Sequence, residues 1–330
     1  MPVARRWLLA SLALAACAPG RRERLVVGGP HLPALGLVFV AQAKGYFAAH
    51  GLEVEYRRFT SGRDAVAALG SGRIDAAVSF ETPIVLRAAH DPSLRVLTTV
   101  HVSSGNTSLV AGGDRGIAEA SDLAGKRVGV PRNTNAEYFL DLLLAWGGVD
   151  QREVRLVDVA PEAAADALAS GDVDAVAIWT PHAERARRMS GPRGAVEIRS
   201  DVYTELSMLA TREPVLAARR GAFVKLVAAL ADAERLVRER PGEAFAAVRA
   251  EFPEASEAEL AEAWRRIRPT LGLTHHLAAS LEDESRWFRA AGRTDGPPVD
   301  VGVLLEPDVL AEVDPEAVTF VPPPRRAGAR

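Results

Sequence analysis

The sequence contains a single cysteine, Cys17, and only three lysines among its 40 basic residues. One cysteine cannot form an intramolecular disulfide, so the chain must fold without that cross-link. The 43 acidic residues nearly cancel the basic ones, giving a formal net charge of −3, and neither sign is concentrated in a block. This balance argues against a nucleic-acid partner, which requires a basic patch or stripe. Because most basic residues are arginines, residue type alone assigns no site to an arginine.

The N-terminal apolar run is too short to span a bilayer. It covers ten residues, Trp7 to Ala16, whereas a membrane-spanning helix needs about 20. A basic pair precedes the run and "LAAC" ends it, so residues 1–16 are expected to be a signal peptide. The stretch resembles a bacterial lipobox, which implies that Cys17 is lipidated and that residues 17–24 are a lipid anchor and linker. The mature protein is then exported and held on the periplasmic side of a bacterial membrane. An ordinary signal peptide with a chance cysteine is the alternative.

Two similar segments occur 99 positions apart. Residues 68–83 are "ALGSGRIDAAVSFETP" and residues 167–182 are "ALASGDVDAVAIWTPH". Each is the end of a longer pattern that predicts strand, helix, strand, helix and strand. Strands that alternate with helices form parallel sheets. We therefore expect an α/β protein with two lobes, each a mainly parallel sheet flanked by helices.

The chain is long enough for two cores. The segments near 107–114 and 206–214 are expected to be the crossings between the lobes. We predict that one lobe comprises 25–109 and 211–320, including the C-terminal helices, and that the other comprises 110–210. Residues 321–330 are expected to be a disordered tail.

Polar residues follow the predicted strands where helices begin. Ligands of open parallel sheets bind beyond the carboxyl ends of the strands, and helix N-termini favour anions there. The candidate ligand-binding residues at these positions and near the first crossing are His31, Phe80, Glu81, Thr82, Asn106, Thr107, Asn133, Thr134, Asn135, Ala136, Trp179 and Thr180. Such a set of hydroxyls, amides and aromatic rings suits binding better than catalysis.

Several of these candidates have a structural alternative. Asn133 to Asn135 precede a predicted helix, where such residues commonly serve as N-caps. Phe80 and Trp179, at matching positions after the third strands, also suit core packing. Glu81 is the one carboxylate expected at the cleft, and a capping or hinge role is open for it as well.

The sequence shows no motif for catalysis or metal binding. It has neither a serine elbow nor a nucleotide fingerprint. His275 and His276 are adjacent, so their side chains point in different directions, and no acid or cysteine cluster accompanies them. We therefore expect a protein that is not an enzyme and has no metal and no cofactor.

Three stretches together resemble a known family. These are "AQAKGYFAAHGLEVEYRRFTSGRDAVAALGSGRIDAAVSFETP", "DLAGKRVGVPRNTNAEYFL" and "DVDAVAIWTPH". They resemble the periplasmic solute-binding proteins of ABC importers for sulfonates, taurine, nitrate and thiamine-pyrimidine precursors, and the resemblance covers about residues 25–320. It implies a type II periplasmic-binding-protein fold, with two lobes joined by two crossing strands. It also implies a small-molecule ligand between the lobes, and an ABC permease with its ATPase as partners. We expect a monomer.

The resemblance also bears on the ligand. "SFETP" is similar to a stretch of aliphatic-sulfonate binders, and "NTNAE" lies where such proteins place hydroxyl residues around the sulfonate. This sequence departs from those proteins by having asparagines in place of serines. Its "WTP" stretch also departs from relatives that have an acid after the tryptophan, which disfavours an amine-bearing ligand such as taurine. A small sulfonate- or nitrate-like anion is the ligand implied, with a pyrimidine- or thiamine-precursor-type heterocycle as the alternative. A module that reports to a membrane sensor is also open. An enzyme of the yeast pyrimidine-precursor type is disfavoured, because it needs a cysteine-rich iron-binding stretch.

Overall fold

The computed structural model of the protein describes residues 22–321. The predicted signal peptide, Cys17 and most of the predicted tail lie outside these residues. The strands are β1 (Glu23–Pro30), β2 (Leu52–Phe59), β3 (Ala76–Phe80), β4 (Leu94–Ser104), β5 (Thr107–Gly112), β6 (Arg127–Val130), β7 (Arg155–Asp158), β8 (Ala175–Trp179), β9 (Ala195–Ile198), β10 (Thr204–Arg212) and β11 (Ile267–Arg268). The α-helices are α1 (Gly36–Ala43), α2 (Tyr46–Ala49), α3 (Gly62–Gly70), α4 (Glu81–Ala88), α5 (Asn135–Trp146), α6 (Ala164–Ser170), α7 (His182–Met189), α8 (Glu213–Glu239), α9 (Pro241–Glu251), α10 (Glu257–Arg266), α11 (His275–Ala290), α12 (Val301–Leu304) and α13 (Pro307–Val313).

The described strands form two sheets. One has the order β11-β4-β10-β3-β1-β2, and the other has the order β7-β6-β8-β5-β9. We call the first sheet with its helices lobe 1, and the second sheet with α5, α6 and α7 lobe 2. The repeated sequence has a structural counterpart, because β3 and β8 are the equivalent third strands of the two lobes and lie 99 positions apart. The predicted α/β fold with two lobes is confirmed.

The sheets are mixed rather than mainly parallel. β1 pairs in parallel with β2 and β3, and β6 pairs in parallel with β7 and β8. β10 and β5, however, run antiparallel to the strands on both of their sides. Each of these strands connects to the other lobe, so it runs along its sheet in the direction opposite to the repeated strands.

The links between the lobes are shorter than the sequence suggested. They comprise residues 105–106, between β4 and β5, and residues 199–203, between β9 and β10. The segments 107–114 and 206–214, which we expected to be the crossings, are instead largely the strands that follow these links. Gly105 has a φ of 74°, a left-handed conformation that glycine adopts without strain. A short polar link of this kind looks like an ordinary turn in the sequence.

The C-terminal helices complete lobe 1. α8 packs against α1 and α2, α13 packs against α8, and α11 packs against α4. The apolar stripe of α8 is buried, including Phe223 and Leu230. Within residues 22–321, no helix is both long enough and apolar enough to cross a bilayer.

Candidate functional site

A small cavity lies between the lobes where β3 and β8 end. Its volume is about 10 Å³, which is close to the space needed for one water molecule. It is lined by Pro30, Leu32, Gly62, Arg63, Phe80 and Pro83 from lobe 1 and by Thr134, Asn135 and Trp179 from lobe 2. We call it the inner cavity. A larger solute can enter this space only if the lobes move apart.

Three helices begin at the inner cavity. α3 starts at Gly62, α4 starts directly after Phe80, and α5 starts at Asn135. The N–H groups in the first turn of a helix have no partner within the helix. Together with the aligned peptide dipoles they make the helix N-terminus favourable for anions. The walls of the inner cavity therefore favour a solute with an acceptor oxygen.

The first turns of α3 and α5 are capped differently. At α3, the hydroxyl oxygen of Ser61 accepts from the N–H of Asp64. At α5, Thr134 occupies the cap position, yet its Oγ1 donates to the carbonyl oxygen of Pro131 at 2.7 Å and forms no cap hydrogen bond within the described residues. We expected the hydroxyl of Thr134 to donate to a ligand. Its hydrogen is instead bonded to the turn that precedes α5.

Trp179 brings an unpaired donor to the inner cavity. The residue is only 3% exposed, and its Nε1–H has no acceptor among the described residues. A buried donor without a partner costs about 1–3 kcal/mol. An acceptor oxygen of a bound solute would remove this cost.

The amide of Asn135 is held by a carboxylate that sequence reasoning missed. Asn135 Nδ2 donates to Thr107 Oγ1 at 3.2 Å and to Glu205 Oε2 at 3.3 Å. Glu205, on β10, is 1% exposed and also accepts from Asn106 Nδ2 at 3.0 Å and from the N–H of Thr107 at 2.7 Å. Donors that we expected to face a ligand are therefore used inside the protein. The group of Asn135 that stays free for a solute is its acceptor oxygen, Oδ1.

Glu81 and Thr82 also point into the protein. Tyr203 donates its hydroxyl to Glu81 Oε2 at 2.9 Å, and the N–H of Leu206 donates to Oε1 at 2.6 Å. Thr82 Oγ1 donates to Glu284 Oε2 at 2.8 Å. Because Tyr203 belongs to the second link, these contacts favour the hinge alternative for Glu81.

Glu81, Glu205 and Glu284 form a group of buried acids, which we call the carboxylate cluster. Burial raises the pKa of Glu284 to about 8, although the hydrogen bond from Thr82 opposes this rise. Burial, and next the nearby charge of Glu284, raise the pKa of Glu81 well above its ordinary value. Burial raises the pKa of Glu205 as well, against the hydrogen bonds that it accepts. The cluster therefore holds protons at a pH where exposed carboxyl groups have lost theirs.

The remaining candidates, His31, Asn133, Ala136 and Thr180, are not among the residues that line the inner cavity. The ring of His31 stacks on Phe252 with centroids 4.4 Å apart. Asn133 has a φ of 59°, and its N–H donates to Glu137 Oε2 at 2.7 Å. Ala136 is fully buried. The N–H of Thr180 donates to the carbonyl oxygen of Asn106 at 3.1 Å and so connects β8 to the first link.

A larger cavity adjoins the inner one. Its volume is about 290 Å³, and we call it the outer cavity. Leu32 and Trp179 line the inner cavity, while their chain neighbours Pro33 and Thr180 line the outer one. The two cavities therefore lie next to each other in one cleft, with lobe 1 on one side and lobe 2 on the other.

Two lobes, two short links and a cleft at helix N-termini define the fold of the periplasmic binding proteins. The model of the NMT1/THI5-like family matches residues 33–244, and the chain belongs to this family. This result confirms the family resemblance inferred from the sequence.

Two relatives and one solved structure illustrate the similarity. A putative binding protein of Brucella abortus is 27% identical over 198 residues, which are 59% of this chain and 60% of that protein. The taurine-binding periplasmic protein of Escherichia coli is 31% identical over 143 residues, covering 43% of this chain and 44% of that protein. The match thus covers less than two thirds of the length of these curated relatives. The alkanesulfonate-binding protein of Xanthomonas axonopodis pv. citri, solved with MOPS bound, aligns with a TM-score of 0.75 at 17% identity and covers 87% of this chain and 99% of that chain. This structural likeness shows the fold alone.

Proposed function

We propose that the protein is the solute-binding component of an ABC importer and captures a small sulfonate- or nitrate-like anion between its lobes. The observation that carries this proposal is the unpaired Nε1–H of Trp179 beside the N-termini of three helices. All of these groups donate, and an anionic oxygen accepts. The names of the taurine- and alkanesulfonate-binding relatives support the same solute class. Because they are binding proteins, they also support a role without catalysis.

Capture follows from the distribution of donors over the two lobes. Lobe 1 contributes the first turns of α3 and α4, and lobe 2 contributes Trp179 and the first turn of α5. An oxyanion that contacts both sets gains its full hydrogen bonding only when the lobes are together. The solute therefore stabilises the closed arrangement, by an amount equal to its preference for that arrangement. A permease with its ATPase is the proposed receiver, and delivery to a membrane sensor is the alternative.

One observation favours a second class of solute. The free Oδ1 of Asn135 accepts hydrogen bonds, since both amide hydrogens are bonded to Thr107 and Glu205. A pyrimidine- or thiamine-precursor-type heterocycle carries N–H donors that match this acceptor. This solute is our second candidate.

Thermal unfolding in the presence of candidate solutes tests the proposal. We expect methanesulfonate or a longer alkanesulfonate to raise the unfolding temperature, since a ligand at 100 times its Kd stabilises a protein by about 2.7 kcal/mol. Sodium chloride at the same ionic strength is the control, because it reproduces the screening without the sulfonate group. A rise with 4-aminopyrimidine derivatives alone would transfer the proposal to the heterocycle. No rise with any of these solutes would contradict it.

We propose further that Cys17 is lipidated and holds the protein, as a monomer, on the periplasmic side of a bacterial membrane. The support is the "LAAC" stretch at the end of the N-terminal apolar run, and the family relative named as periplasmic agrees with export. Replacing Cys17 by serine in the full chain is expected to move the protein from the membrane fraction to the soluble fraction. Its solute-dependent rise in unfolding temperature should be unchanged. A variant that still sediments with membranes would rule out this anchor.

We also propose the division of the chain given by the sequence, with 25–109 and 211–320 in one lobe and 110–210 in the other. The sheet membership of the described strands supports it to within a few residues, since β5 belongs to lobe 2 and β10 belongs to lobe 1.

A further inference from the structure

The outer cavity is large enough for an organic group and is built by both lobes. Its volume of about 290 Å³ is close to the lower end of the range for small-molecule pockets, about 300–1,000 Å³. Lobe 1 supplies an apolar wall from Phe252, Leu260 and Ala263, and lobe 2 supplies the first turns of α7. A solute in this cavity would contact both lobes at once.

Glu184, in the first turn of α7, lines this cavity with a carboxylate that has no partner. The residue is only 5% exposed, and no described residue forms a hydrogen bond or ion pair with its side chain. Neighbouring side chains on α7 are paired, since Arg185 bonds to Asp166 at 3.0 Å and Arg188 pairs with Glu259 across the cleft. A carboxylate accepts hydrogen bonds and ion pairs, and this one is engaged by no described residue. A donor can reach it from the outer cavity, whose wall Glu184 helps to form.

The charges around the cavity favour a cationic donor. The walls carry four carboxylates, on Glu162, Glu184, Glu254 and Glu259, against the two guanidinium groups of α7. Both guanidinium groups already have carboxylate partners. His182 adds no charge near neutral pH, because burial lowers its pKa. The cavity wall therefore carries more negative than positive charge, and this excess attracts an ammonium group.

We propose that the outer cavity is a second subsite that binds a protonated amine bearing an apolar group. Glu184 accepts from the ammonium, and the apolar group packs on Phe252, Leu260 and Ala263. The subsite rests on the proposed function insofar as the same solute places an oxyanion in the inner cavity. The sequence disfavoured an amine-bearing ligand because no acid directly follows Trp179. In this proposal the acid is Glu184, on the helix that follows Trp179.

Two matched sulfonates test the subsite by calorimetric titration. N-cyclohexyl-2-aminoethanesulfonate carries a ring, an amine and a sulfonate, whereas 3-cyclohexylpropanesulfonate replaces the amine by a methylene. We expect the first to bind the wild-type protein at least tenfold more tightly. Glu184→Gln should abolish this difference, because the amide keeps the size of the side chain and removes its charge. Glu257→Gln, which makes the same charge change on α10 outside the cavity wall, should preserve it. Thermal unfolding without solute checks that both variants are folded.

The outcomes separate this inference from the proposed function. Equal affinity of the two sulfonates for the wild type, or equal effects of Glu184→Gln and Glu257→Gln, would overturn the subsite and leave anion binding in place. Titration with cyclohexylammonium chloride covers the other case. If this amine binds and loses at least tenfold in affinity in Glu184→Gln while neither sulfonate binds, the anion proposal fails and the subsite stands.

Discussion

Between pH 5 and pH 8, the wild-type protein is expected to lose on the order of 3 kcal/mol of stability because of Glu284. The Glu284→Gln variant should not show this loss. The buried carboxyl of Glu284 has a pKa of about 8 in the folded protein, against an ordinary value of 4.5. Between these two values the folded state keeps a proton that the unfolded state has lost. The free energy of unfolding therefore falls as the pH rises through this range, and below about 4.5 both states are protonated and the contribution is constant.

Urea unfolding of both proteins at pH 5, 6, 7 and 8 measures this effect. The comparison at each pH is essential because His101 acts in the opposite direction. Burial lowers its pKa to about 3, so the folded protein gains stability as the pH rises towards 6.5. The glutamine variant retains His101, so the difference between the two proteins removes the contribution of His101 and reports on Glu284 together with its effect on the neighbouring Glu81. Glu282→Gln, on the same helix with its side chain 50% exposed, is the matched control and should follow the wild type. Parallel pH profiles for wild type and Glu284→Gln would contradict the prediction.

Replacing Trp179 by alanine is expected to weaken binding of the best sulfonate by about a hundredfold. The change removes both the indole N–H and the ring that closes the inner cavity. A hydrogen bond to a charged group contributes about 1.5–3 kcal/mol, and lost apolar contact adds about 25 cal/mol for each Å². Trp179→Phe keeps an aromatic ring at this position and should lose at least tenfold, chiefly because it lacks the N–H.

Calorimetric titration of the Trp179 variants needs a comparison within the same cavity. Thr134→Val provides it, because the hydroxyl hydrogen of Thr134 already bonds to Pro131. We expect this variant to lose less than threefold in affinity, with a loss of about 1 kcal/mol in stability. Circular dichroism before titration confirms that each variant is folded. A Trp179→Phe variant that loses no more affinity than Thr134→Val would contradict the assignment of the indole N–H as a donor to the solute.

The sequence predicted what depends on local pattern. The alternation of strands and helices, the repeat that ends in β3 and β8, and the Ser61 cap of α3 all appear in the structure. The position of Phe80 and Trp179 at the ends of equivalent strands also follows from the repeat. Both line the inner cavity.

The carboxylate cluster was beyond sequence reasoning. Its hydrogen bonds join residues 70 to 202 positions apart, as in the contacts of Glu205 with Asn135 and of Glu284 with Thr82. No periodicity or motif marks such pairs. Sequence patterns locate helix starts and strand ends, but they do not show which way a polar side chain turns. Asn135 lines the inner cavity, for example, while its amide nitrogen donates to Thr107 and Glu205.

The two links between the lobes restrict how the protein can deform. β4 pairs with β10 in lobe 1, and their continuations β5 and β9 pair in lobe 2, so a two-stranded ribbon runs through both sheets. Such a ribbon twists and bends readily, but it resists stretching because its backbone bonds are covalent. The lobes are therefore free to rotate while their separation at the ribbon stays fixed. A second protein resting on both lobes would detect the angle between them, and hence whether the cleft is filled, without touching the solute.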